Sequence, residues 1–356
     1  ARDDRLTSRE QLSYQATVAT LSGDPRHLDR WKAVLDVYPD LHTAAHNLAQ
    51  FYWTDNQFDR SLHYARIALA PQSPTHIASS YVAAMAQLGL GDLDGAGQMF
   101  ESARAGGGAL PRRICASIHA VIRDNDAALE CFRGLPDASP APDRGDALWF
   151  RAALLAEAGR STDALAALDD LDPLLDTLPL PKRAGLTFAS LALRVRLQPE
   201  ELPPSAALSR LEGALAGWMT DSEPQHRRGL DVFASALAAL AIGYGDAEIA
   251  RRALSHGADS SGAPYAIGLR RVVDAWALTL EGDRLGAEAA LSTLVGGNSP
   301  VLAELALLRI AEDQGDQRLI ESRRAALQAR RHAAFAEFGE SHLLLSEYLM
   351  AMPARA

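Results

Sequence analysis

Apolar positions in this chain recur with a helical period, broken at short polar turns. Between 44 and 70, Ala45, Leu48, Ala49 and Tyr52 fall on one helical face, and Asp55-Asn56 interrupts the run. Phe58, Leu62, Ala65, Ala68 and Leu69 then form a second face, closed by Pro71 and Pro74. Residues spaced three and four apart share a helix face, and Pro cannot continue the helix, so the segment predicts two short helices joined by a tight turn. The plan repeats with Tyr81, Ala84 and Leu88, then Gly91-Asp92, then Leu93, Ala96, Phe100 and Ala103, ending at Gly106-Gly107-Gly108.

The turns are Gly23-Asp24, Asn56, Gly91-Asp92, Asn125, Gly159, Gly245-Asp246, Gly282-Asp283 and Gly315-Asp316. Their interval is about 34 residues, the period of stacked helical hairpins, except for one long gap between Gly159 and Gly245. In each turn the Gly is expected to take the left-handed conformation that ends the first helix, and the following Asp to cap the second. Within the gap, Arg183–Arg196 and Ser205–Trp218 read as helices with a turn near Pro199–Pro204. The predicted blocks are therefore 1–168, a degenerate long hairpin over 169–218, and 219–356 with Arg331–Met350 as a terminal capping helix.

This arrangement resembles the tetratricopeptide repeat family. Ala49, Asn56, Ala65, Ala68 and Pro71 approximate its pattern in one unit. Ala84, Gly91, Ala96, Phe100 and Ala103 match it better in the next, and Ala152, Gly159, Ala164 and Leu168 follow. Gly245 with Ala250 and Gly282 with Ala287 keep the same spacing. The resemblance implies an all-α, right-handed α-solenoid of about nine antiparallel helix pairs. It also implies a non-catalytic scaffold that binds a protein or peptide in its concave groove. A second resemblance rests on Arg5-Leu6-Thr7-Ser8-Arg9-Glu10 and Val37-Tyr38-Pro39-Asp40. These look like the C-terminal repeat regions of bacterial signalling proteins that carry a Ser/Thr kinase, a class III nucleotide cyclase or a winged-helix regulator. They imply the alternative reading, a sensory or regulatory module that binds a small molecule or peptide signal.

Composition narrows the field. The chain is 48% hydrophobic, 22% charged and only 6% aromatic, with a net charge of −10. Ala and Leu favour close-packed helices, and the acidic balance argues against nucleic acid as a partner. The most apolar stretch, Val232 to Tyr244, is shorter than the roughly 20 residues a membrane span needs. A cytoplasmic location is expected, or a periplasmic one if a membrane span precedes the segment. The chain begins with Ala1 and reads as part of a longer or processed protein. Cys115 and Cys131, its two cysteines, read as small buried side chains on the two helices of one hairpin.

No constellation points to catalysis, so the chain reads as a non-enzyme without cofactor or metal. There is no phosphate-binding Gly-Lys-Ser/Thr, no Gly-x-Ser-x-Gly and no Cys-x-x-Cys. His42 and His46 share a helix face but lack the ligands that would complete a metal site. Asp169, Asp170 and Asp172 lack the glycine and terminal Glu of a calcium loop. The doublets Arg112-Arg113, Arg227-Arg228, Arg251-Arg252, Arg270-Arg271, Arg323-Arg324 and Arg330-Arg331 read as solvated faces.

Concave positions in such a superhelix lie on the first helix of each hairpin. Counted from the turns, they are His46, Asn47, Gln50 and Trp53, then Tyr81 and Met85, then Arg112, His119 and Arg123, then Trp149. This mixed strip suits an extended or helical peptide with acidic groups. Later units present Val232, Ser235, Ala239, Leu269, Val272 and Trp276 instead. An apolar strip of that length should not face water, so Leu269, Val272 and Trp276 are expected to be closed by curvature, to bury another segment, or to form a homodimer contact.

Overall fold

A computed structural model describes residues 6–22, 24–104, 109–133, 139–221, 224–256, 264–337 and 342–352. Gly23, Gly106-Gly107-Gly108 and residues 134–138 of the Pro-rich linker lie outside these.

Consecutive helices pair into hairpins. The first three are α1 (Ser8–Ser22) with α2 (His27–Val37), α3 (His42–Thr54) with α4 (Phe58–Ala68), and α5 (His76–Gly89) with α6 (Leu93–Arg104). Next come α7 (Ala109–Val121) with α8 (Asn125–Glu130), and α9 (Ala141–Glu157) with α10 (Ser161–Leu175). The long gap holds α11 (Leu180–Leu197) and α12 (Pro204–Asp221). Three more pairs follow: α13 (Pro224–Gly243) with α14 (Ala247–His256), α15 (Pro264–Ala277) with α16 (Arg284–Ser292), and α17 (Leu302–Gln314) with α18 (Gln317–Ala329). The chain ends in α19 (Arg331–Ala336) and α20 (His342–Ala351). The architecture is an all-α solenoid of helix pairs, with no strand among the described residues. Helix α10 runs through Leu168, and the expected single capping helix is two short helices.

Local chemistry explains the turns. Gly91, Gly159, Gly245, Gly282 and Gly315 all have φ between 70° and 82°, where a Cβ is penalised. The Asp after four of them caps the next helix: Asp92 accepts from the Gly95 N–H, Asp246 from Ile249, Asp283 from Gly286 and Asp316 from Leu319, at 2.9–3.0 Å. The expected Asn125 turn differs. Its left-handed residue is Arg123 at φ 62°, and Asp124 caps α8 by accepting from the Ala127 N–H.

Small residues set the helix spacing. Ala49, Ala65, Ala84, Ala96, Ala152, Ala164, Ala250 and Ala287 are all fully buried. Ser61 Oγ on α4 donates to the Ala49 carbonyl of α3 at 2.8 Å, a reach that needs the two backbones close together. Gly89 lies against Phe58, where a Cβ would stand 2.5 Å from the ring. One continuous apolar core runs from Ala49 to Met352.

Candidate functional site

The first helices of successive hairpins face inward, and the surface they form is filled by the chain's own C-terminus. Helix α19 packs against α5 and α7, and α20 against α9, α11, α13 and α17. The repeat array is thus wrapped around its last two helices.

Three sets of polar contacts fasten this plug. The Trp53 indole N–H of α3 donates to the Ala336 carbonyl at 2.7 Å, and Tyr81 meets the indole edge-on. Next along the chain, Glu337 accepts from the Asn56 side chain at 3.2 Å and from the Val301 N–H at 2.7 Å. Burial pushes the Glu337 carboxyl up to about 7, against the opposing effect of the Val301 N–H and the Arg330 charge.

Deeper in, the Arg331 guanidinium donates to the Ala120 carbonyl at 2.7 and 3.0 Å and to Glu157 at 2.7 Å. Both charged side chains are only 2% exposed. Arg331 also lies over the Phe335 ring, which in turn packs on Phe150 of α9. A buried charge pair needs its remaining valences filled, and the Ala120 carbonyl fills two of the guanidinium's.

At the far end, Glu347 of α20 accepts from Arg196 Nε at 3.0 Å and pairs with Arg309 at 3.6 Å. Arg196 stacks on Tyr244, whose hydroxyl proton is held above its ordinary range by burial and by the Glu347 charge.

The strip expected from sequence divides. Trp53, Tyr81, Met85 and Trp149 are buried, Trp53 against α19 and Tyr81 against Trp53, and Arg123 donates to Gln328 of α18 at 2.7 Å. His46 is half-buried, shares a hydrogen bond with Ser79 Oγ at 3.1 Å, and has its pKa lowered by burial. Asn47 is half-buried and Gln50 exposed. Arg112 and His119 contact residues flanking α8 of their own hairpin. Arg112 donates to the Cys131 and Arg133 carbonyls, and His119 Nδ1 stands 4.0 Å from Asp124.

Leu269, Val272 and Trp276 are buried within the chain by the neighbouring hairpins, one of the alternatives expected for them. Two expectations are corrected. Cys115 and Cys131 are joined as a disulfide, with Cα atoms 5.9 Å apart, and neither is fully buried. Arg330-Arg331 is no solvated face, because Arg331 anchors the plug and Arg330 pairs with Glu304 at 2.8 Å. Asp169 and Asp172 lie near the end of α10 and stay largely exposed, with Arg194 bridging them at 2.9 Å each. The Arg227-Arg228 side chains lie outside the described residues.

Sequence reasoning missed Asn56, Glu157, Arg196, Phe150, Arg331, Glu337 and Glu347. The available signal was a charged residue in an otherwise apolar helical run. Glu157 after Ala152-Ala153-Leu154-Leu155-Ala156 and Glu347 within Leu343–Met350 show it. Such residues are rarely buried unless paired.

Among the described residues, no helix is long and apolar enough to cross a membrane. No protein-family profile matches the chain, and no curated protein matches it. Among solved structures the chain is similar to one titled "Structure of Naa15/Naa10 bound to HypK-THB". The identity is 16%, over 91% of this chain and 58% of that chain, with a TM-score of 0.27. This chain therefore spans less than two thirds of that one. What its own residues establish is an all-α array of helix pairs closed around its C-terminal helices.

Proposed function

We propose that this protein is a non-catalytic scaffold that binds a polypeptide on the inner surface of the helix array. The supporting observation is that this surface already holds a polypeptide. Helices α19 and α20 are gripped there by an indole donating to a main-chain carbonyl, by aromatic contacts and by buried ion pairs. A groove with an apolar lining is a recurrent way of holding a helical ligand. The inner charged groups Glu157, Arg331, Glu347 and Arg196 are consumed by pairing, which supports a binding rather than a catalytic role.

A partner helix competes with α19 and α20 for this surface. Trp53, Tyr81, Met85 and Trp149 become partner contacts when the plug leaves, while His46, Asn47, Gln50 and Arg123 at the margin guide the approach. The test compares capture of host proteins by the wild type, by Arg331→Ala, which weakens the plug, and by Arg331→Ala with Trp53→Ala. Capture should rise in the first variant and fall in the second, with helical circular dichroism retained. No gain from Arg331→Ala in a folded protein overturns the reading.

The disulfide supports a second reading, a sensory module of a larger signalling protein placed outside the cytoplasm. Disulfides persist in oxidising compartments and are rare in the cytosol. Alkylation in intact cells tests this: modification of Cys115 and Cys131 without prior reduction counts against it.

A further inference from the structure

Cys115 and His119 stand four residues apart on α7 and so share a helix face. The α7–α8 hairpin brings Cys131 opposite them. One donor atom from each of the three residues lies within 4.8 Å of the others, and all three are partly exposed. We propose that Cys115, His119 and Cys131 form a thiol-gated site for a thiophilic divalent d10 cation, zinc by preference: closed while the disulfide stands and open once it is reduced.

The donor set fits this chemistry. Two thiolates and an imidazole are ligands that zinc accepts with water in the fourth position. Sulfurs in a tetrahedral zinc site stand roughly 3.8 Å apart by the zinc–sulfur bond length. A Cα separation of 5.9 Å accommodates that without moving the helices.

The surroundings complete it. Asp124 caps α8 through one carboxylate oxygen and presents the other 4.0 Å from His119 Nδ1. A carboxylate beside a ligating imidazole orients the ring and raises its basicity. Arg112, one turn before Cys115, donates to the Cys131 carbonyl, which fixes the end of α8 and places a cation near the sulfurs. A nearby cation favours the thiolate. Partial exposure supplies the entry path.

The gating step balances. A dithiol reductant delivers two electrons and two protons, leaves as its own disulfide, and converts the protein's S–S bond into two thiols. Cation entry then releases both thiol protons and forms two metal–thiolate bonds and one metal–imidazole bond.

The experiment uses the full chain with cobalt(II) as the spectroscopic probe for zinc. The metal-free protein is titrated with cobalt before and after reduction by a phosphine, reading thiolate-to-cobalt charge-transfer absorption, and zinc is then added to displace the cobalt. One equivalent should bind only to the reduced protein. His119→Ala keeps the disulfide in its oxidised form and should bind at least about tenfold more weakly once reduced, since losing even an outer partner costs about 10–100-fold. Asp124→Asn keeps the cap and should weaken binding by that same factor. Absence of a charge-transfer band in the reduced wild type overturns the proposal. So does equal binding by His119→Ala, or binding by the oxidised protein.

Discussion

Arg331 and Glu157 form an ion pair, 174 residues apart in the chain, with neither side chain in contact with water to any useful extent. Removing one partner strands the other's charge in the core, which costs about 3–5 kcal/mol. Glu157→Ala should therefore lower stability by that amount. Replacing both by apolar residues, Glu157→Leu with Arg331→Met, should recover most of the loss. Urea unfolding of the wild type and both variants measures this, and a double variant no more stable than Glu157→Ala contradicts it.

Glu337 makes closure pH-dependent. Its folded pKa of about 7 lies above the ordinary carboxyl value of 4.5, so the protonated form favours the folded state. Its contribution is complete below about pH 4.5 and is lost as pH rises through 7. Arg330 and Glu304 face the same carboxyl with opposed effects, Arg330 lowering its pKa and Glu304 raising it. Glu337→Gln keeps an acceptor for Asn56 and Val301, and should flatten the fall in urea midpoint between pH 5 and about 8. An unchanged slope in the variant counts against the assignment.

Arg123 pays a backbone penalty that glycine avoids at the equivalent turns. Arg123→Ala loses the bond to Gln328 and keeps the left-handed strain; Arg123→Gly loses the bond and relieves the strain. The glycine variant should be more stable than the alanine variant by about 1 kcal/mol. Thermal unfolding of the pair gives the sign directly.

Gly89 should not tolerate a methyl group. Its Cβ would meet the Phe58 ring at 2.5 Å, and that ring is buried between α4 and α5. Gly89→Ala is expected to cost about 1–3 kcal/mol, and Phe58→Leu in the same chain to return part of it. Denaturant midpoints for the two variants decide the matter.

The disulfide closes a short loop, its cysteines standing 16 positions apart in sequence. Cys115→Ser with Cys131→Ser should lower stability by about 3 kcal/mol, mainly by loosening the unfolded chain. Calorimetry of the oxidised wild type against the variant provides the comparison.

The site was partly legible in the sequence. Helix periodicity and the repeat resemblance singled out Trp53 and Tyr81, which the structure buries beside α19. What covers them could not be read, because α19 and α20 carry no motif that marks them as ligands of distant helices. The cysteines show the same limit. Their place on two helices of one hairpin was readable, whereas their bonding depended on how those helices cross.

Everything the sequence determined by itself is local. Left-handed glycines end helices, the aspartates after them cap the next, and small residues at fixed spacing let hairpin partners approach. These preferences act within a few residues, so they are written in order along the chain. The tertiary structure decided the closure: Trp53 bonding Ala336, Arg331 reaching Glu157, and the strip of Leu269, Val272 and Trp276 already covered. Those outcomes rest on shape and charge complementarity between segments brought together only by the curvature of the whole array. Curvature accumulates from small rotations at every hairpin, and no single stretch of sequence records it.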